Sequence, residues 1–256
     1  MTVFKDFRAL EARQLLDAGA DAYFFSMPSY PGTVIDLPKD NIEDYFRSLS
    51  QRKRYQFRKK LRLSKNILAL ETQIIQKPSN AELKEIVDLF IQTYERGRTK
   101  FERLSLRFFE KICEKEPVWF ILQRDKSDGR LITFMLIFYQ GTQVINKFIG
   151  IDYQKSGDTY LYFRLFEAAL EFAYQHGARQ LQSGQTGYRA KIDLGHTLVP
   201  LFNICRHVNP ILNMLYGWIG KRVSWKTLDS DLAEYITAHP KSSPFFNSVS
   251  TKFTMS

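Results

Sequence analysis

Two stretches of the sequence carry side chains whose types and spacing could do chemistry. The first is Asp152-Tyr-Gln-Lys-Ser-Gly-Asp-Thr-Tyr160, polar and glycine-bearing, at the start of a helical pattern over 159–176. A helix N-terminus offers backbone N–H groups and the positive end of the helix dipole, which together suit a phosphate. Ser156, Gly157, Asp158, Thr159 and Tyr160 are the positions that would face one. The run also reads as an ordinary capped helix with Asp158 as N-cap, whose carboxylate competes for the same N–H groups. The second stretch is residues 45–70. It holds nine Lys or Arg (Arg47, Arg52, Lys53, Arg54, Arg58, Lys59, Lys60, Arg62, Lys65) and no Asp or Glu, and so supplies nearly all of the formal +10 charge. Tyr45, Phe46, Tyr55 and Phe57 lie among these cations, a mixture suited to phosphate contacts and base stacking. Attraction to a polyanionic donor, an acidic peptide or a lipid surface is a second reading, and a solvated helix face a third. Hydrolase, P-loop and zincin chemistry have no footing. There is no Gly-x-Ser-x-Gly, no Gly-x-x-x-x-Gly-Lys-Ser/Thr and no His-Glu-x-x-His. Cys113 and Cys205 sit in no nucleophile motif, and four scattered histidines show no metal-ligand spacing, so no metal is expected.

These stretches need elements to position them. Asn41 is a plausible N-cap for one helix over 42–65, with Tyr45, Leu49, Phe57 and Leu61 near a 3.6 period. A strand at 67–76 follows, and Ser79-x-x-Glu82 is a capping box opening a helix over 80–95. Another helix is expected over 104–115. From 117 the pattern turns strand-like: Val118–Gln123, Leu131–Gln140 and Gln143–Ile151, separated by Asp125–Gly129 and Gly141, read as an antiparallel meander. The helix over 159–176 closes at Gly177 and leads to a strand over Arg179–Ser183, a crossover that sets this strand parallel to its neighbour. Thr197–Cys205 reads as a further strand, Asn209–Gly220 and Ser224–Ala238 as helices, 7–18 as a short helix and Ala22–Ser26 as a strand. The fold class expected is α/β, with a mixed, mostly antiparallel sheet flanked by helices.

That order resembles the GNAT acyltransferase fold, and more closely its Fem-type and cellulose-synthesis-associated branch. The basic helix Tyr45-Phe-Arg-Ser-Leu-Ser-Gln-Arg-Lys-Arg-Tyr-Gln-Phe-Arg-Lys-Lys-Leu-Arg62 carries the resemblance, as do the crossover helix Asp158–Gly177 and Gly184-Gln-Thr-Gly-Tyr-Arg-Ala-Lys-Ile-Asp-Leu-Gly195. Fem-type proteins place a Phe-Lys pair in the last segment; here Lys191 matches and Ala190 replaces the aromatic. The GNAT phosphate loop Arg/Gln-x-x-Gly-x-Gly/Ala is absent, and Gln154-Lys-Ser-Gly157 is its nearest equivalent. The resemblance implies transfer of an acyl group to an amine on a small molecule or on a peptide Lys or ornithine side chain. The donor would be an acyl-CoA or acyl-carrier-protein thioester, used as a co-substrate without a tightly bound cofactor. The Fem-type alternative uses aminoacyl-tRNA, which the basic segment 45–65 could hold; a non-catalytic binding module built on that segment is the third reading. Lys191 would steady the tetrahedral oxyanion, as a cation or N–H group aimed at that oxygen does. Tyr188 is the favoured proton-transfer residue, with Asp193, His196 and His207 as other candidates. Ile149, Gly150 and Ile151 on the strand before the loop would join residues 156–160 in holding the donor. Asn146, Tyr153, Gln185, Thr186 and His207 would line the acceptor side.

With 44% hydrophobic residues, no charge-free run long enough to span a bilayer and no leading apolar segment, a cytoplasmic protein is expected. Residues 1–40 read as an N-terminal extension, 41–238 as the acyltransferase domain and 239–256 as a disordered tail. The high aromatic content is expected to be mostly core, and is compatible with an apolar tunnel for a long acyl chain.

Overall fold

The computed structural model describes residues 1–19, 23–38, 41–97, 100, 102–155 and 157–239. The chain opens with β1 (Thr2–Phe7), α1 (Ala9–Ala18), β2 (Phe25–Pro28) and β3 (Gly32–Asp36). Then come α2 (Ile42–Ser48), α3 (Gln51–Ile67), β4 (Leu70–Ile75), α4 (Asn80–Arg96) and α5 (Leu106–Ile112). The meander is β5 (Val118–Asp125), β6 (Leu131–Gln140) and β7 (Gln143–Ile151), followed by α6 (Leu161–Gln175), β8 (Gln180–Ser183) and α7 (Tyr188–Asp193). β9 (Thr197–Val199), β10 (Phe202–Arg206), α8 (Pro210–Gly220), α9 (Trp225–Leu228) and α10 (Ser230–Ala238) complete it.

Several boundaries depart from the sequence expectation for local reasons. The single helix expected over 42–65 is two, because Leu49 turns extended and the Ser50 side chain accepts from the Lys53 amide to start α3 afresh. The expected strand 197–205 is split at Pro200, which has no N–H for a ladder. Asp229 divides the last expected helix by capping α10 through the Asp231 and Leu232 amides. β1 and β3 form where no strand was expected. The Asn41 cap and the Ser79–Glu82 capping box form as read. The tail beyond 239 and Ala22 lie outside the described residues.

The chain divides into two compact units, Met1–Thr33 with Gly187–Lys191 and Thr197 onward, and Val34–Thr186 with Ile192–His196. In the first, β1 and β2 flank β10, both antiparallel to it. Ala12 of α1 packs there on Phe202 and Ile204. In the second, the strands run in the order β4-β5-β6-β7-β8-β3. β4 to β7 are antiparallel and β7–β8 parallel, as a crossover through α6 requires. Residues 134–137 of β6 alternate in facing: Phe134 and Leu136 pack with α4 and α5, Met135 and Ile137 with α3 and α6. The sheet is thus covered on both faces, and what remains for chemistry is the end where β7 and β8 part.

Candidate functional site

The parting is built into the strand lengths. β8 stops at Ser183, so only Gln143 to Asn146 of the nine-residue β7 have a parallel partner, Gln180 to Ser183. At that point Lys147 is an extra residue: Leu136 pairs with Phe148 but Ile137 with Asn146. A bulge of this kind bends its strand and re-aims it. Beyond it the ladder alternation points the Ile149 N–H and C=O away from β6, toward the side β8 has left. The neighbouring odd-numbered residue confirms the phase, because the Ile151 N–H is donated sideways to Thr93 Oγ1 at 3.0 Å while the Asp152 N–H returns to Ile132 O at 2.8 Å. Gly150 faces the other way. A Cβ there would lie 2.3 Å from Phe134 Cε1 and 2.7 Å from Leu89 Cβ, so its need for glycine comes from packing, not from a ligand.

At the fork, three buried polar side chains meet. Asn146 Nδ2 donates to Ser183 Oγ at 3.4 Å, and Ser183 Oγ and His196 Nε2 are 3.0 Å apart. The Phe166 ring lies 5.4 Å from the His196 ring. His196 is brought there by a tethered segment: Tyr45 donates to Leu194 O at 2.7 Å and Lys53 Nζ to Ile192 O at 2.6 Å. Gly195, at φ +85°, passes where a Cβ would be 2.5 Å from Leu49. Sequence reasoning placed Asn146 here and counted His196 among four possible bases, but missed Ser183. The signal was a serine ending an otherwise closed strand.

The loop after β7 differs from the anion cradle expected of it. Asp152 Oδ1 accepts from the Gln154 N–H and its other oxygen from Arg130, while Lys155 bonds Asp125 and approaches Asp128. Lys155 and the Ser127 amide and hydroxyl hold the Asp125 carboxyl below the usual carboxylate range. The loop's cation is thus spent on two acids of the hairpin between β5 and β6. Asp158 is not the N-cap: Gly157–Thr159 form a 3-10 turn, and α6 starts at Leu161 after Tyr160 in the left-handed region at φ 49°. Thr159 Oγ1 donates to Lys155 O. Ser156 lies outside the described residues. Tyr153 is half-buried under the Arg96 guanidinium, 4.6 Å from its ring centre. Gln185 and Thr186 follow the end of β8.

In the first unit, Lys191 is 6% exposed, and its Nζ is 6.0 Å from the Tyr188 ring centre. Burial pushes its pKa down to about 7. Tyr188 is buried and donates to Pro31 O at 2.9 Å. Burial, then Asp229, Tyr30 and Asp6, raise its pKa further. A hydroxyl so placed anchors α7 to the Pro31 carbonyl and keeps its proton at neutral pH. His207 serves the start of α8: its Nδ1 accepts from the Asn209 N–H and its own N–H goes to Asn213 Oδ1.

The FemAB-like family, described as peptidoglycan biosynthesis/recognition, matches residues 38–225. The chain belongs to this family. No curated protein matches it. Among solved structures it is similar to L-PGS from Bacillus licheniformis, at 14% identity and TM-score 0.61, over 84% of this chain and 71% of that one. It is similar to FemX at 13% and 0.60, over 84% and 74%. A third is the C-terminal domain of a putative lysylphosphatidylglycerol synthetase from Agrobacterium fabrum, at 13% and 0.57, over 83% and 69%. The GNAT-like α/β fold expected from the sequence is therefore the fold of this FemAB-like chain.

The FemAB-like match also takes in α3. Its Phe57, Leu61 and Ser64 face the core, so helical geometry turns Arg52, Tyr55, Arg58, Lys59 and Arg62 outward. Arg58 pairs with Glu43 and Lys65 with Glu167, and Lys60 lies over the Phe163 ring. Among the described residues no helix is long and apolar enough to cross a membrane, and no cluster of His, Cys, Asp and Glu could hold a metal ion.

Proposed function

We propose that this FemAB-like protein transfers an acyl group from an activated carrier ester to an amine, directly and without an acyl-enzyme, and that the carrier is an aminoacyl-tRNA. The observation that carries the reading is the parting of β7 from β8 at Asn146 and Ser183, which leaves the Ile149 main chain facing a gap. An ester or amide backbone can lie along such an edge and hydrogen-bond as a missing strand would. The amine nitrogen attacks the carbonyl carbon, the tetrahedral oxyanion forms, and collapse expels the carrier hydroxyl. His196, with Ser183 beside it, is the proposed acceptor of the ammonium proton. From the Fem-type resemblance of its segment alone, Lys191 is proposed as the oxyanion partner, an amine that takes up a proton as negative charge develops.

The choice of carrier rests on two contrasts. A CoA pyrophosphate needs a loop with free cations or bare N–H groups, and here Asp125 and Asp128 occupy that loop's cation, Lys155. A nucleic acid needs an extended basic surface with an aromatic platform, and α3 presents Arg52, Arg62 and the exposed Tyr55. An amine on a peptide side chain is the acceptor that agrees with the family's description. The test is a donor panel of charged tRNAs and acyl-CoAs with a lysine- or ornithine-bearing peptide. Transfer from charged tRNA that RNase abolishes is expected. Transfer from acyl-CoA alone would restore the thioester reading, and transfer from neither would leave a binding module.

A further inference from the structure

Helix α8 is turned inside out. Its narrow side is the inner one: Gly217 and Gly220 lie against β2, where added Cβ atoms would come 3.5 Å from Phe25 Cβ and 3.2 Å from Met27 Cβ. Asn213 anchors the same side by donating to Tyr23 O at 2.8 Å. With the glycine side committed to β2, the 3.6 period turns Ile211, Met214, Leu215, Trp218 and Ile219 outward as one stripe. Ile211 is 71% exposed, Met214 73% and Trp218 54%. The helix carries no charged residue, and from Leu194 to Leu228 the sequence has no Asp or Glu. The charges that flank it along the chain are positive: Arg206 before α8, and Lys221, Arg222 and Lys226 after it, all exposed. Arg222 lies over the Trp218 ring, 3.3 Å from its centre, and donates to Trp218 O at 3.0 Å.

An uncharged stripe of large side chains with cations at its ends matches one environment closely, the boundary between acyl chains and anionic headgroups. Soluble proteins rarely leave such a patch bare, and Trp beside Arg suits that boundary because each has an apolar body and a polar tip. We propose that α8 docks this protein on an anionic lipid bilayer, lying in the plane of the surface with Met214 and Trp218 inserted and Lys221, Arg222 and Lys226 against the headgroups. This attachment stands apart from the acyl-transfer chemistry and needs none of its residues.

The experiment is co-sedimentation of the full chain with vesicles of phosphatidylcholine alone or with 30% phosphatidylglycerol, the composition being that of the probe. Brominated lipid serves as quencher. Binding to the anionic vesicles is expected, with quenching that Trp218→Phe removes. Met214→Asp and Lys221→Glu should each weaken binding roughly tenfold or more, and both positions are exposed enough to leave folding intact. Equal recovery with and without anionic vesicles at low salt would overturn the proposal. So would a dimer that Met214→Asp converts to monomer, since α8 would then be an interface between copies.

Discussion

A lysine amine folded out of water is the most consequential single residue here. Lys191 has its pKa pushed down to about 7 by burial, against an ordinary lysine value near 10.5. The unfolded chain therefore holds more protons than the folded one between those values, and stability rises with pH across that window. Below about pH 7 the amine is charged in both states, and the desolvation penalty, on the order of a few kcal/mol, is present in full. Lys191→Met should accordingly raise the melting temperature at pH 6 and give a smaller gain at pH 9.5. A gain independent of pH would mean that the amine is solvated. The same variant should lower kcat by roughly 10²-fold or more if the amine serves the oxyanion. Near wild-type turnover would leave Lys191 a buried residue without a chemical part.

At the scale of elements, the site exists because β7 is long, β8 is short and Lys147 breaks the register of β7 against β6 just where β8 ends. The far half of β7 must then be held by something other than β8, and α4 does this through Thr93 Oγ1 and the close approach of Leu89 to Gly150. Gly150→Ala should therefore destabilise the protein by about 1–3 kcal/mol, the usual cost of overpacking a filled core. A thermal melt checks this; an unchanged melting temperature would show that α4 can draw back from β7. The meander and the crossover were legible in the sequence because their hydrophobic runs are bounded by Asp125–Gly129, Gly141 and Gly177. The strand ends of β6 and β7 fell where those boundaries placed them. The Lys147 bulge was not legible, since an extra residue in one strand is defined only against its partner.

For the whole molecule, charge placement makes the sharpest forecast. The formal net charge is +10, and α3 concentrates it on a face whose core side is fixed by Phe57 and Leu61. If that face holds RNA phosphates, log Kd for tRNA should vary linearly with log salt concentration, and Arg52→Gln with Arg62→Gln should lower the slope by roughly two. An unaltered slope would move the polyanion elsewhere. The outward stripe of α8 belongs to the first unit and α3 to the second, so lipid docking and RNA binding can be separated by variants in each.

By itself the sequence determined the order of elements from β4 to β8, the capping of α2 and α4 and the site's strand end, because periodicity, turns and caps are local interactions. It also located the basic helix, since charge is additive along a chain. Tertiary structure alone decided that Ser183 meets His196 and that residues 1–33 join the unit holding Thr197 onward. It likewise consumed the loop's cation Lys155 with Asp125 and Asp128 and turned the large side chains of α8 to solvent. Each of these depends on which distant residue comes within a few ångströms. Burial and hydrogen bonding act across space, and no spacing along the chain encodes them.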